Sequence, residues 1–298
     1  MADGILNILK PPGMTSHDVV SFVRRTFGMK KVGHTGTLDP GAAGVLPVCL
    51  GKATRVAEYF NDPEVTKSYR GELSLGARTD TQDSYGEVVE EREFSNFTEE
   101  DLRRVVQDFT GKIEQIPPMY SAKKQDGKKL YQLARAGIEV ERKSREIEIY
   151  SLELVKNKDN REILFDVECS SGTYVRTLCE DMACELGNLG HMSFLLRTRV
   201  GAYSIEDAYT LEEIENTVSR GEASSILLSL ETALSHYSVL ELDGAYFEKI
   251  LNGVKIRVEG EYEPSKRYKV YCKGAFIGVG HVERETGNLK MEKVLFQR

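Results

Sequence analysis

The order of hydrophobic and polar positions along the chain predicts both strands and helices. Positions alternate with a period of two over residues 69–75 and 161–169, as is typical of half-buried strands. This alternation places the side chain of Tyr69 on the buried face of its strand. Residues 5–9 form a short apolar run that a Lys-Pro-Pro-Gly sequence ends, and they predict a further strand.

Three other stretches repeat their apolar positions every three to four residues, which predicts helices. The first begins at Thr15 or Ser16, the second at Thr98, and the third follows Thr173; Ser and Thr are favoured at the N-cap. Long strands mixed with helices, without regular strand–helix alternation, predict an α+β fold with a mixed or antiparallel sheet.

The residue composition and the hydrophobic pattern change in two places along the chain. Residues 112–146 are rich in lysine and punctuated by glycine, and we interpret them as an exposed loop-and-helix element inserted into a larger domain over residues 1–235. The segment 236–298 consists of short apolar runs separated by turn signals. It predicts a small β-rich domain, with strands near the positions 254–258, 267–272, 275–282 and 289–296.

Composition narrows the class of protein. The 298 residues are 40% hydrophobic and 29% charged, as in an ordinary globular protein. Five cysteines without a CxxC pair and five scattered histidines indicate reduced thiols and no metal site. The sequence begins without a signal peptide, and its longest uncharged run, residues 41–51, is too short to cross a membrane. We therefore expect a cytoplasmic protein without membrane contact.

The net charge of −7 conceals a segregation of charge along the chain. Residues 80–110 hold ten acids and three bases, whereas 1–60 sums to +3, and 112–146 and 244–298 each sum to +4. A polyanion responds to the local patch within a Debye length of about 8–10 Å. The basic segments are compatible with an RNA partner, although ordinary surface variation explains them equally well.

The segment 33–46 concentrates glycines around one acidic residue. Asp39 precedes a proline, which disfavours helix at Asp39 and presents its side chain in an extended loop. The structural alternative is that Asp39 is an N-cap with Pro40 at the first helical position. A phosphate-binding loop is excluded, because six residues rather than four separate Gly44 from Gly51-Lys52, and Ala53 rather than Ser or Thr directly follows Lys52.

A cation in the first turn of the third predicted helix is also unusual. The helix dipole disfavours Arg176 there, so a buried carboxylate or a polyanionic ligand would offset the cost. The alternatives are that Arg176 points into solvent and that Tyr69 is an ordinary core aromatic.

Together, these contexts resemble those of the pseudouridine synthases of the bacterial TruB type. Residues 33–46 match the catalytic pattern G-H-x-G-T-L-D-P-x-A-x-G-V-L throughout. The segments 67–86 and 170–178 resemble the second and third motifs of the family. Residues 9–16 and 118–123 match as well, and the order and spacing hold from about residue 4 to residue 200.

The resemblance implies an enzyme that isomerises a uridine in the T-arm loop of tRNA, uridine 55, to pseudouridine. The base is flipped out, the C1′–N1 bond is cleaved, the uracil turns, and C5 is joined to C1′. No cofactor and no obligate protein partner are needed. By the same resemblance, residues 112–146 form a mobile thumb and residues 236–298 a PUA-like RNA-binding domain.

The resemblance also assigns residues to roles. Asp39 is the catalytic carboxylate, acting as a nucleophile or as a general base; Tyr69 stacks on the target base, and Arg176 pairs with Asp39. His34 fills the stack that the flipped base vacates, and Leu195 packs in the pocket. The remaining residues are supporting or phosphate-binding groups, namely Lys10, Asp83, Tyr174, Lys123, Lys124, Lys128 and Lys129.

Two other functions fit the same features. One is a guide-RNA-dependent synthase acting on ribosomal RNA, and the other is a non-catalytic RNA chaperone or assembly factor, a role that could also coexist with catalysis. The sequence departs from the family at Leu196, where relatives often carry a basic residue.

Overall fold

The computed structural model describes residues 3–121, 123–125, 127–156, 161–260 and 262–296, with only the backbone described at 124, 125 and 129. Its helices are α1 (Ser16–Thr26), α2 (Glu99–Phe109), α3 (Leu130–Arg135), α4 (Val175–Glu185), α5 (Leu211–Ser219) and α6 (Phe247–Leu251). Its strands are β1 (Gly4–Lys10), β2 (Val32–His34), β3 (Ala43–Leu50), β4 (Lys67–Leu75), β5 (Ala77–Thr79), β6 (Val88–Glu91), β7 (Gly111–Gln115), β8 (Lys124–Gln125), β9 (Lys128–Lys129), β10 (Arg145–Lys156), β11 (Glu162–Cys169), β12 (Gly190–Val200), β13 (Tyr203–Ser204), β14 (Ser238–Leu242), β15 (Ile256–Arg257), β16 (Arg267–Cys272), β17 (Ala275–Val282) and β18 (Asn288–Val294).

A mixed sheet forms the centre of the fold. Its strand order is β1-β3-β12-β4-β11-β10-β7, with β2 paired to β3 and β13 paired to β12. Strands β3 and β12 run parallel, and the other pairs in this sheet are antiparallel. The predicted α+β class with a mixed sheet is therefore confirmed.

Helices α1, α2, α4 and α5 bury their apolar residues in one core with this sheet. In α1, a capping box between Thr15 and Asp18 fixes the first turn, and Val19 and Val23 pack into the core. Helix α4 buries Leu178 and Met182 against the same core. Its position brings the start of α4 to the edge of the cleft described below.

A second sheet lies at the C-terminal end, with the order β14-β16-β17-β18-β15. Its four predicted strands are present, although the one near 254–258 is only two residues long. The sequence interpretation missed β14, in which Leu240 and Leu242 are buried and the residues between and beside them are exposed. The alternation in β14 is short, and the strand joins the sheet through parallel pairing with β16.

The chain between β7 and β10 leaves the main sheet and returns to it. These two strands pair directly, and between them lie the β8–β9 hairpin and helix α3. In the part of the chain that the structure describes, no helix is long and apolar enough to span a membrane.

Candidate active site

Asp39 lies in the loop that joins β2 to β3. The loop closes with a turn in which the Ala42 N–H donates to the Asp39 carbonyl at 3.1 Å, and strand β3 follows it. No helix begins here, so the alternative interpretation of Asp39 as an N-cap is wrong. At Gly44, φ is +114°, and an added Cβ would lie 2.2 Å from the Arg197 carbonyl oxygen. Glycine is therefore required where β3 approaches β12.

Buried polar side chains fix this loop through hydrogen bonds to its backbone. The Ser16 hydroxyl accepts from the Leu38 N–H at 2.9 Å and donates to the Leu38 carbonyl at 3.1 Å. The Lys10 ammonium donates to the carbonyls of Met14, Pro11 and Pro40, at 2.7, 2.9 and 3.3 Å. Burial lowers the pKa of Lys10 to about 8, against the attraction of Asp39. Lys10 does not line the cleft and instead fixes the loop that presents Asp39.

Arg176 joins the Asp39 loop to helix α4. It is 6% exposed, and its Nε lies 2.9 Å from Asp39 Oδ2 and 3.7 Å from Asp83 Oδ2. Its Nη1 and Nη2 donate to the Thr81 and Tyr120 carbonyls at 2.8 and 2.9 Å. The two carboxylates offset the cost of a cation in the first turn of a helix. The Asp39 side chain stays 41% exposed, so it remains open to a ligand.

A cleft of about 800 Å³ opens in front of this pair. Seven of the residues that the sequence singled out line it, which are Asp39, Arg176, Asp83, Tyr69, Leu195, His34 and Tyr174. Tyr120 and Arg135, from the segment between β7 and β10, line it as well. Among the residues that the structure describes, no three His, Cys, Asp or Glu side chains group as metal ligands.

Tyr69 and His34 present uncharged rings to the cleft. Tyr69 is buried, and desolvation raises its pKa to about 12 against the influence of the neighbouring Arg197. Burial and the charges of Arg197 and His17 lower the pKa of His34. Neutral rings of this kind present faces on which a nucleobase can stack.

Tyr174 and Asp83 are fixed by their neighbours. The Tyr174 N–H donates to the side-chain oxygen of Gln115 at 2.8 Å, and the Gln115 amide donates back to the Tyr174 carbonyl at 3.1 Å. The Arg145 guanidinium lies over the Tyr174 ring, 4.6 Å from its centroid. Asp83 accepts from the Thr81 hydroxyl at 2.7 Å and from the Tyr85 N–H at 3.0 Å. Both residues thus belong to the rigid wall of the cleft.

The lysines of the 112–146 segment lie apart from these residues. Lys123 and Lys128 are exposed and do not line the cleft. The side chains of Lys124 and Lys129 lie outside the described part of the structure.

Two buried cations of the cleft were missed by the sequence interpretation. Arg197 is 2% exposed and donates from Nε to the Val45 carbonyl at 2.8 Å. Lys67 is 9% exposed, and burial together with Arg197 and Arg145 lowers its pKa to about 8. The two-residue alternation of the strands could have identified both cations. Lys67 lies on the same face of its strand as Tyr69, and Arg197 lies on the same face as Leu195. Leu196 stands where relatives often carry a basic residue. The next residue, Arg197, nevertheless supplies a cation to the cleft.

Known proteins are similar to this chain over most of its length. The model of the TruB family pseudouridylate synthase N-terminal domain matches residues 24–175, and that of the tRNA pseudouridylate synthase B C-terminal domain matches residues 176–235. The tRNA pseudouridine synthase B of Alkaliphilus oremlandii is 47% identical over 298 residues, covering 98% of this chain and 97% of its own. That of Caldanaerobacter subterraneus is 50% identical over 284 residues, covering 95% of this chain and 96% of its own.

A solved structure, a Cbf5-Nop10-Gar1 complex, shares the fold. It aligns with a TM-score of 0.78 and 25% identity, covering 99% of this chain and 85% of the matched chain. With family models that cover most of the sequence and relatives of nearly equal length, the chain belongs to the TruB family of pseudouridylate synthases.

Proposed function

We propose that the cleft converts a uridine in the T-arm loop of tRNA, uridine 55, to pseudouridine, with Asp39 as the catalytic carboxylate. The observation that carries this proposal is the Asp39–Arg176 pair. It places a partly exposed carboxylate, fixed by a buried guanidinium, at a cleft lined by the face of Tyr69.

The reaction is an isomerisation, and its atoms balance without a co-reactant. The C1′–N1 bond breaks, the uracil turns, and a C1′–C5 bond forms; C5 then loses its hydrogen and N1 gains one. A carboxylate can act as a nucleophile or as a base in such a sequence. The Arg176 guanidinium at 2.9 Å stabilises the negative charge that either role requires.

The cleft also suits a flipped base. Extruding a nucleotide costs a few kcal/mol of unstacking. Stacking on an aromatic ring returns about 1–3 kcal/mol per base, and it tolerates rotation of the base because any orientation presents a π-face. Tyr69 supplies this face in the cleft. His34, a half-buried neutral ring at the same cleft, can stack on the bases that remain in the loop.

The choice of tRNA is supported by the relatives, which are named tRNA pseudouridine synthases, and by the distribution of charge. We assign phosphate binding to Lys123, Lys124, Lys128 and Lys129 in the thumb, residues 112–146, because clustered lysines hold a nucleic-acid backbone without reading its sequence. Residues 236–298, which contain the second sheet, would act as the PUA-like RNA-binding domain.

The test is to incubate the pure chain with an unmodified tRNA transcript and to map pseudouridine by carbodiimide-stop sequencing. We expect one new stop, at the T-arm uridine, and none in a control transcript that carries cytidine there. A pure chain that is inactive on naked tRNA, but active once a guide RNA and partner proteins are added, would overturn the proposal in favour of the guide-dependent alternative.

A further inference from the structure

Lys67 is a buried cation of the cleft that the proposed chemistry does not use. Its side chain lines the cleft, and it is nine-tenths buried. Its ammonium donates no hydrogen bond to any residue that the structure describes. Desolvating an ammonium is costly where no acceptor replaces the water that it loses, and the Lys67 side chain keeps only its small exposed part at the cleft.

Lys10 shows how the same fold treats a lysine that serves the structure. Lys10 is fully buried, and its ammonium donates to three backbone carbonyls. Lys67 has no such set of acceptors. Its remaining exposure is towards the cleft, so its N–H groups are available to water or to a molecule that enters the cleft.

The surroundings of Lys67 determine the charge of that molecule. A Cβ added to Gly36 would lie 3.7 Å from Lys67 Nζ and 3.9 Å from Arg197 Nη1, so both cations face the same point of the loop. The charged or titratable groups that act on Lys67 are Arg197 of β12, Arg145 of β10 and Cys169 of β11. Burial raises the pKa of the Cys169 thiol to about 11, which leaves this thiol neutral. Of these three groups, the two that carry charge are therefore cations.

We propose that Lys67 binds a phosphodiester group of the RNA, next to the uridine that stacks on Tyr69; this inference rests on the proposed function. A neutral uracil carbonyl would accept a hydrogen bond but would not offset the accumulated positive charge, whereas a phosphodiester does both. Lys67 and Tyr69 are two positions apart on one face of β4. Such residues are about 7 Å apart, a distance that a ribose can bridge between base and phosphate.

The test combines protein variants with RNA in which single phosphates near the target uridine are replaced by neutral methylphosphonates. For the wild type, we expect one position at which this replacement weakens filter binding by about tenfold. In Lys67→Met the same replacement should cost less than twofold, because the contact is already lost. Lys67→Arg, which keeps the charge, should retain the sensitivity of the wild type. An exposed lysine outside the cleft gives the control variant Lys52→Met, in which the pattern should match the wild type.

Equal losses for the wild type and Lys67→Met at every position would overturn the proposal. Circular dichroism verifies that each variant is folded. Because binding is measured without turnover, failure of the phosphate contact is separate from failure of the proposed function, which appears as the absence of pseudouridine with the wild-type protein.

Proton uptake gives a second readout. The lowered pKa of Lys67 leaves about half of its ammonium deprotonated at pH 8, and a bound phosphate restores the proton. Calorimetric titration with a T-arm stem-loop RNA at pH 8, in two buffers of different ionisation enthalpy, should show greater proton uptake for the wild type than for Lys67→Met. Identical uptake in the two proteins would contradict the proposal.

Discussion

Two Asp–Arg pairs in the described part of the chain, Asp39–Arg176 and Asp62–Arg267, share chemistry but differ in how far neighbours already occupy the oxygens of the carboxylate. In the cleft, Asp39 meets Arg176 through a single 2.9 Å contact, and its side chain is 41% exposed. Between the main sheet and the second sheet, both oxygens of Asp62 lie 3.1 Å from Arg267 Nη1, and the Tyr237 hydroxyl donates to the same carboxylate. The Asp62 side chain is only 15% exposed.

This difference is the one that we expect between a structural carboxylate and the proposed reactive one. The oxygens of Asp62 are already used by neighbours, and Arg267 continues the network to Glu292 at 2.9 Å and lies over the Tyr59 ring. Asp39 has a fixed position but unused acceptor capacity. An arginine partner therefore does not by itself indicate catalysis, and the unfilled, exposed oxygen is the more informative feature.

The largest effect is expected from Asp39→Asn, which removes the charge and keeps the shape. Single-turnover pseudouridine formation should fall by more than about 10⁴, beyond the range of general acid–base assistance alone, because nucleophilic and base roles disappear together. Binding of tRNA, followed by filter binding, should stay within a few-fold or become tighter, because a negative charge next to a polyanion is removed. A variant with a tenth of the wild-type rate would refute the assignment.

Arg176→Met should reduce both rate and stability. It removes the partner of two carboxylates and two donors to backbone carbonyls. We expect a rate loss of about 10²–10³, and a loss of about 3–5 kcal/mol in the free energy of unfolding, as is typical when one partner of a buried pair is removed. The matched control is Arg267→Met, which should lower stability in urea denaturation while the rate stays within a few-fold. Equal rate losses in the two variants would remove the distinction between the pairs.

Asp62→Asn should have the opposite profile to Asp39→Asn. The neutral amide keeps some hydrogen bonds but leaves Arg267 with Glu292 as its remaining anionic partner. We expect the free energy of unfolding to fall by about 1–3 kcal/mol and the single-turnover rate to change less than threefold. Thermal and urea denaturation measure the first quantity. An unchanged stability would show that the Asp62 network is not structural.

The smallest effect concerns pH. The pKa of Lys67 is about 8 in the folded protein and near 10.5 when unfolded, so between these values the unfolded state binds more protons. The cost of burying its charge is complete below pH 8 and is relieved as the pH rises, so stability increases with pH in this window. Relative to the Lys67→Met variant, the wild type should gain about 1–2 kcal/mol between pH 7 and pH 9.5. Urea denaturation at several pH values measures this gain, and parallel curves for the two proteins would contradict it.

Local patterns in the sequence were sufficient to predict those strands and helices whose own residues alternate or repeat with the period of the element. The alternation around Tyr69 predicts β4 and its inward face, and the Thr98 capping position predicts α2. The patterns did not show that Asp62 meets Arg267, because this contact joins positions 205 residues apart. They also did not identify Lys67 and Arg197 as neighbours, because that depends on the register between β4 and β12, in which Tyr69 lies opposite Arg197.

The most direct test compares the two charge-removing variants in one experiment. Single-turnover pseudouridine formation is measured for Asp39→Asn and Asp62→Asn on the same tRNA, at a temperature at which circular dichroism shows both to be folded. The exposed, unsaturated carboxylate is predicted to carry the chemistry, so the Asp62 variant should react at least 10³-fold faster than the Asp39 variant. Rates that agree within tenfold would contradict this account.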